Sequence, residues 1–449
     1  MHASAAQAIA RAQPFVASSG YRNYVLALLI AVGIFGWVDR NVLAVLLESI
    51  KLELDLSDTQ LGLLGGVAFG VFYATVGLPV AWLADRYSRR SLIAVALGLW
   101  SVMTALCGMA SAFSSLFLAR VGVGVGEAGG SPPSQSLIAD YFPPARRAFA
   151  LGVLYLYIPL GFLVGFLGGG WLNELLGWRL AFAVVGIPGV FLALVVRLTL
   201  REPPRGYSDT AEDSGSTPTL ASTLRYFWSR SSLRHLPLAG AVHGIGAFAA
   251  AVWLPSYFIR VFGLTSGEAG TWMAFAYGCG GGAGVLGGGY IADLICKRTG
   301  DQRWYAWGCA IVIVAALPCS MLVYVTQRPA LAVGALLLAT MLGHMFLGPV
   351  TAMLQGLAEL RRRAVAAALY LFLVNLVSMG VGPVTVGIAS DSFGASLGND
   401  SLRYALVAIV TVTSLWAAAH FMLAARTLRS DLALAQSTAG RESHADARL

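Results

Sequence analysis

The chain is poor in charge. Of its 449 residues only 12% are Asp, Glu, Lys or Arg, where an ordinary soluble domain carries roughly 25%. Lysine is almost missing, with Lys51 and Lys297 the two present. So few charges cannot cover the two or three soluble domains that this length would otherwise make. A disordered chain needs many charges and few apolar residues, so it is excluded on the same ground. The 5 cysteines are scattered without a C-x-x-C pair, so neither a disulfide framework nor a metal site is expected. The alternating ten-residue segments of a membrane barrel are lacking. Residues 1–20 have no compact apolar core and do not read as a secretory signal. The net charge of +8 would suggest nucleic acid in a soluble protein. Here the basic residues sit in short loops, so no nucleic-acid partner is expected and the charge is read as topology.

What the chain has is apolar length. Apolar residues make up 57% and the mean hydropathy is +0.72. A bilayer crossing needs about 20 such residues. Apolar runs lie near 24–47, 58–84, 91–112, 115–139, 147–172, 178–199, 236–259, 268–292, 304–325, 330–354, 364–389 and 402–425. The expected fold is an all-α membrane protein of twelve transmembrane helices. With the N-terminus inside, 22 basic residues fall in the inner loops and tails and five (Lys51, Arg179, Arg260, Arg328, Arg403) outside. That bias puts both termini in the cytoplasm. The preference for arginine fits a GC-rich bacterial genome, hence a cell inner membrane.

Residues 201–233 form the one long polar stretch and read as a linker. Its second half places Leu220, Leu224, Phe227 and Trp228 on one helical face, as a short helix lying on the membrane surface would. The linker divides the chain into a tail (1–20), a six-helix bundle (21–200), a second six-helix bundle (234–428) and a second tail (429–449). The halves also echo each other. AWLADRYSRR ends at Arg90 and GYIADLICKR ends at Arg298, an offset of 208 that aligns Asp85 with Asp293. Two pseudo-symmetric bundles are a transporter plan.

Four ionisable residues lie inside these runs. Asp39 and Arg40 sit in the first; Arg120 and Glu127 sit two turns apart in the fourth. Charges at such depth face a cavity or a partner. A static ion pair that fixes packing is the plainer reading. The functional one makes Asp39 and Glu127 proton carriers, with Arg40 and Arg120 as their ion-pair partners or as substrate-binding cations. Depth along the helices favours pairing Asp39 with Arg120. The string GVGEAG (Gly124–Gly129) mimics a dinucleotide fingerprint but lies within a crossing, without the strand that motif needs; close helix contact explains it better. Asp85, Arg86, Arg89, Arg90 and Asp293 are candidates for a cytoplasmic gate. Tyr155, His243, Trp253 and Asn375 are weaker candidates for the cavity wall. The sequence contains no nucleophile elbow or paired-His motif, so no enzyme and no cofactor are expected.

LADRYSRR, the six-plus-six layout and the central linker resemble the major facilitator superfamily over about residues 20–430, with Ala81 and Ser88 standing where glycine is usual. D-R-N in the first run, and R-V-G-V-G-V-G-E-A with S-L-I-A-D-Y-F in the fourth, resemble the Spinster-type branch. That resemblance implies a monomeric, proton-coupled, alternating-access transporter of an amphipathic anionic lipid, a lysophospholipid or sphingoid phosphate. It also implies that Asp39 and Glu127 are the protonatable pair. A neighbouring branch that moves sugar acids shares R-x-x-x-G-x-G-E-A, so a small organic anion is the alternative substrate.

Overall fold

The computed structural model of the chain describes residues 17–84, 86–208, 220–359 and 362–446. Among these residues the regular elements are helices. Helix α1 (Ser19–Leu54) starts where the Ser18 hydroxyl accepts from the Tyr21 amide and stops at Asp55, in left-handed backbone. The second crossing is α2 (Asp58–Gly65) and α3 (Val67–Ala84), bent at Gly66. The third is α4 (Arg89–Cys107). The fourth is broken into α5 (Phe113–Glu127) and α6 (Ser131–Tyr141), with prolines in the first turn of α6. Then come α7 (Pro144–Leu154) and α8 (Tyr157–Thr199). The 43 residues of α8 would measure about 65 Å if straight. The helix instead reverses at Gly177, where φ is 79°, and supplies parts of the fifth and sixth crossings.

The second half begins with α9 (Leu220–Ser229) and α10 (Ser231–Phe262). α11 (Ser266–Phe275) passes through a π-helical turn, Ala276–Gly281, into α12 (Gly282–Thr299). Next are α13 (Trp304–Val325), α14 (Pro329–His344), α15 (Leu347–Leu357) and α16 (Arg363–Val374). A second π-turn, Asn375–Met379, leads into α17 (Gly380–Leu397), and α18 (Ser401–Asp446) follows. Nine stretches of the described residues are long and apolar enough to cross a bilayer. Two of them, Pro144–Thr199 and Val365–Ala435, are long enough for two crossings each. The broken α5–α6 pair adds the twelfth. Val95, Phe191 and Leu198 are exposed on the outside, as lipid contact requires.

The first six crossings and the last six each pack as a bundle. The end carrying the linker is the linker end; the opposite one is the far end. Two glycines set the closeness of the first bundle. A Cβ at Gly124 would lie 2.7 Å from the Phe69 carbonyl oxygen, and one at Gly126 would lie 2.7 Å from the Trp100 amide nitrogen. Either would push α5 away from α3 or α4. The G-x-G string therefore serves helix contact.

Two boundaries differ from expectation. Residues 429–435, expected to belong to a tail, continue α18 and bury Leu432 and Ala435. Asp431 accepts from the Ser232 amide at 2.9 Å, at the start of α10. Nor does α9 turn one apolar face to the membrane. Phe227 is buried and Tyr226 donates to the Leu357 carbonyl at 2.6 Å, which docks α9 on the second bundle. Leu224 and Trp228 point away and are exposed. The side chain of Leu220 and the linker residues 209–219 lie outside the described set.

Candidate functional site

Asp39 and Arg40 are neighbours on α1, so their side chains diverge by about 100°. Arg40 turns between the two halves. Its Nε donates to Glu127 Oε2 at 2.7 Å, and its guanidinium lies over the rings of Trp37 (5.1 Å), Phe69 (4.9 Å) and Tyr73 (4.5 Å). Each such cation–π contact is worth about 0.5–2 kcal/mol. Arg120 approaches Phe69 from α5 at 5.4 Å, so two guanidinium groups flank one ring. Gly36 leaves room for the Glu127 carboxylate, which would lie 3.5 Å from a Cβ there.

Asp39 turns into the bundle. The residue is 1% exposed, and neither carboxylate oxygen makes a hydrogen bond of normal geometry among the described residues, with Thr104 the side chain that approaches it. The Thr104, Ser101 and Trp100 polar atoms of α4, Glu127 Oε1 and Arg120 Nε are buried and unpartnered in the same way. The expected Asp39–Arg120 pair is not formed. Arg120 Nη1 reaches the backbone carbonyl of Asp39 instead, at 3.4 Å. Depth along the helices was matched, but the azimuth of adjacent residues was not, and Glu127 takes Arg40. The result is two cations, two acids and one close ion pair.

Arg40 and Arg120 both line a cavity between the halves. Across it the second bundle contributes Phe248, Val252, Met379 and Pro383. One wall is cationic and aromatic, and the other is apolar. Trp253 is not on that wall. It is fully buried, and its indole N–H donates to the Pro383 carbonyl at 2.8 Å, so it braces α10 against α17. His243 lines a second cavity inside the second bundle. Tyr155 is 40% exposed, with its ring 5.9 Å from Tyr157. Asn375 opens the second π-turn. No group of three or more potential metal ligands occurs among the described residues.

At the linker end Arg89 is buried and bonds within its own half. It donates to Asp140 (2.5 Å), Glu202 (2.8 Å) and the Pro203 carbonyl (3.1 Å). Glu202 also accepts from the Arg90 amide at 2.9 Å. Burial pushes the Glu202 carboxyl up, but the Arg90 amide and the Arg89 guanidinium outweigh it and hold it below the ordinary value. Arg86 stacks on Trp82 at 3.6 Å. In the second half, Asp293 accepts from Tyr305 at 2.7 Å. Asp85 lies outside the described residues. Among the described residues, Arg89, Arg90 and Asp293 are thus paired within their own halves.

The halves meet at the far end. Arg260 of α10 donates to Glu48 and to both oxygens of Asp58, each at 2.8 Å. Lys51 joins Asp58 at 2.5 Å, and Ser390 donates to it at 2.6 Å. Two helix starts are capped across the interface. Asp391 accepts from the Asp58 and Thr59 amides (3.1 and 2.7 Å) at the start of α2. Glu174 accepts from the Gly267 amide (3.0 Å) at the start of α11. Each of these helices also carries its own capping box, Ser57 with Gln60 and Thr265 with Glu268, again 208 residues apart. Sequence reasoning missed this far-end latch. The paired S/T-x-x-Q/E signatures were the signal that could have found it.

Two helical bundles that meet at one end, with buried charges beside a cavity between them, are the plan of a membrane transporter. The sequence profile of the Major Facilitator Superfamily matches residues 28–383, and the chain belongs to that family. Within it the chain is of the Spinster type. It is 29% identical to a bacterial homologue of the human lysosomal transporter Spinster, solved inward-facing and unoccupied. That alignment covers 92% of this chain and 99% of the other, with a TM-score of 0.85. An MFS-type efflux pump of Mycolicibacterium smegmatis is 34% identical over 411 residues, covering 91% of this chain and 93% of the pump. A probable galactarate/D-glucarate transporter of Bacillus subtilis is 28% identical over 342 residues, covering 67% of this chain and 71% of that protein.

Proposed function

We propose that this protein is a proton-coupled secondary transporter that moves an amphipathic anionic lipid, a lysophospholipid or sphingoid phosphate, by alternating access. The observation that carries the reading is the Asp39 carboxylate, buried without a partner beside a chamber that holds two arginines. A buried carboxylate that no cation touches directly is costly as an anion and tolerable as a neutral acid. A proton is therefore the species suited to balance it, and proton exchange between Asp39 and Glu127 would loosen or restore the Glu127 hold on Arg40. Arg40 and Arg120 are suited to a phosphate, which an arginine fork can grip at two oxygens. The apolar wall opposite suits an alkyl chain.

The basic bias supports a cytoplasmic linker end and cytoplasmic termini in a bacterial inner membrane. The latched far end then faces outward, and the conformation is inward-open. Asp85, Arg86, Arg89, Arg90 and Asp293 would exchange partners when the inner side closes.

A second reading is transport of a sugar acid, with the same arginines clamping a carboxylate; the likeness to the galactarate/D-glucarate transporter favours it. Flux assays in proteoliposomes separate the two. The expected outcome is lysophospholipid movement that follows an imposed pH gradient in the unmodified protein and no longer follows it in Asp39→Asn or Glu127→Gln. Galactarate flux with no lysophospholipid flux would transfer the assignment to the second reading. Lipid flux indifferent to the gradient would remove the proton.

A further inference from the structure

Thr104 is the polar side chain of α4 that turns towards Asp39. It is fully buried, and its hydroxyl approaches the Asp39 carboxyl. Cys107, one turn further along α4, also lies within electrostatic reach of Asp39, so the acid faces this stripe of the helix. The neighbouring polar groups of α4 look elsewhere. A Cβ at Gly189 of α8 would lie 2.2 Å from Ser101 Oγ, and one at Gly130 would lie 3.4 Å from the Trp100 ring.

The Thr104 hydroxyl has left the usual place for a helical threonine. Thr75, Thr199, Thr271, Thr299, Thr340 and Thr413 each donate to the carbonyl four residues back, which satisfies the hydroxyl within its own helix. Thr104 makes no such bond, nor any other of normal geometry among the described residues. A buried hydroxyl that passes over its own carbonyl carries a cost, and a bond to the carboxyl beside it would offset that cost.

The pairing suits an acid that gains and loses a proton. A hydroxyl can donate to an ionised carboxyl and accept from a protonated one. An arginine instead holds a carboxyl as its anion, as Arg40 holds Glu127 at 2.7 Å. The two acids of the site thus have partners of different kinds, one charged and one neutral.

We propose that Thr104 is a positioning residue for proton exchange at Asp39, its hydroxyl steadying the carboxyl in both protonation states. This rests on the reading of Asp39 as a proton carrier and adds the group that tunes it. The bond to the anion is charge-assisted and is the stronger of the two, so loss of the hydroxyl favours the acid. In Thr104→Val, which keeps the shape of the side chain, the midpoint of lysophospholipid flux against pH in proteoliposomes should move up by about one unit, a tenfold change in proton affinity. Thr104→Ser keeps the hydroxyl and should restore the midpoint. Thr413→Val, whose hydroxyl serves its own helix, should leave it in place. An unmoved midpoint in Thr104→Val overturns the proposal, and so does a Thr104→Ser midpoint displaced as far as that of Thr104→Val, which would mark a packing effect. Infrared difference spectra between neutral and acid pH give a readout that needs no transport. The carboxyl band lost in Asp39→Asn should shift in Thr104→Val and return in Thr104→Ser. Flux that ignores pH in the unmodified protein, with this band still responding to Thr104→Val, would remove the transport reading of Asp39 and keep the pairing. If Thr104→Val does not fold, the band of the unmodified protein decides, and a frequency typical of an acid without a hydrogen bond overturns the proposal.

Discussion

The two halves share a backbone plan and bury different chemistry. In the first half Asp39, Arg120 and Glu127 are buried and Arg40 is close to it. At the offset of 208 that aligns the halves, Ala247 and Phe248 stand where Asp39 and Arg40 would be. The second half sets His243 and His344 in the wall of its own cavity and turns an apolar wall to the shared one. At the far end the symmetry returns, with Asp391 capping a helix of the first half and Glu174 one of the second. The contrast has a physical reason. Closing the interface requires contacts from both sides, so both sides keep them. Charge in a low-dielectric interior is expensive, and it is concentrated in one half, where two arginines and two acids lie together around the Arg40–Glu127 pair.

The largest effect should come from breaking that concentration. Arg40→Ala leaves Glu127 buried and unpaired, which costs about 3–5 kcal/mol. Thermal unfolding in detergent should fall accordingly and recover in large part when Glu127→Gln is added. Phe248→Ala, at the aligned position of the second half, removes apolar contact only and should cost less. Equal losses, or no recovery in the double variant, would show that the charged half is not energetically special.

A middle-sized effect is expected at the latch. Arg260→Ala removes charge-assisted bonds to Glu48 and Asp58, each worth about 1.5–3 kcal/mol before water replaces them. A net loss near 1.4 kcal/mol would shift the far-end equilibrium about tenfold towards opening. Electron-resonance distances between labels at Leu52 and Leu397, both exposed, should lengthen. Asp391→Asn and Glu174→Gln should produce smaller and similar shifts, since each removes one charged cap, worth about 1 kcal/mol. If only one of the two moves the distance, the interface is less symmetric than its hydrogen bonds.

Much of this was legible in residue order. Apolar runs of bilayer length gave the crossings, the 208-residue echo gave two halves, and isolated charges in apolar runs marked Asp39, Arg40, Arg120 and Glu127. What could not be read was direction around a helix axis. Arg40 and Asp39 differ by one position and point into different surroundings, so depth alone paired the wrong partners. Contacts between distant segments were equally hidden. Nothing local says that Asp391 meets the start of α2, or that Arg89 would be enclosed by Asp140 and Glu202 of its own half rather than reach across. Trp253 shows the same limit, since its indole donates to the Pro383 carbonyl and does not line the chamber.

The smallest effect separates the linker end from the far end by pH. Glu202 is held below its ordinary value of 4.5 by the Arg90 amide and the Arg89 guanidinium. A carboxyl whose folded value is depressed contributes stability that is fully present above its unfolded value and is lost as pH falls through the folded one. Its side chain is 28% exposed, so screening keeps the contribution small. Hydrogen exchange of residues 86–90 and 200–208 should therefore be unchanged from pH 7 to 5.5 and quicken below about 4.5, beyond the intrinsic pH dependence of exchange. Glu202→Gln should show the faster exchange already at pH 7 and no further acid step. An acid step that persists in Glu202→Gln would assign it to another carboxyl, Asp140 being the neighbour that also holds Arg89.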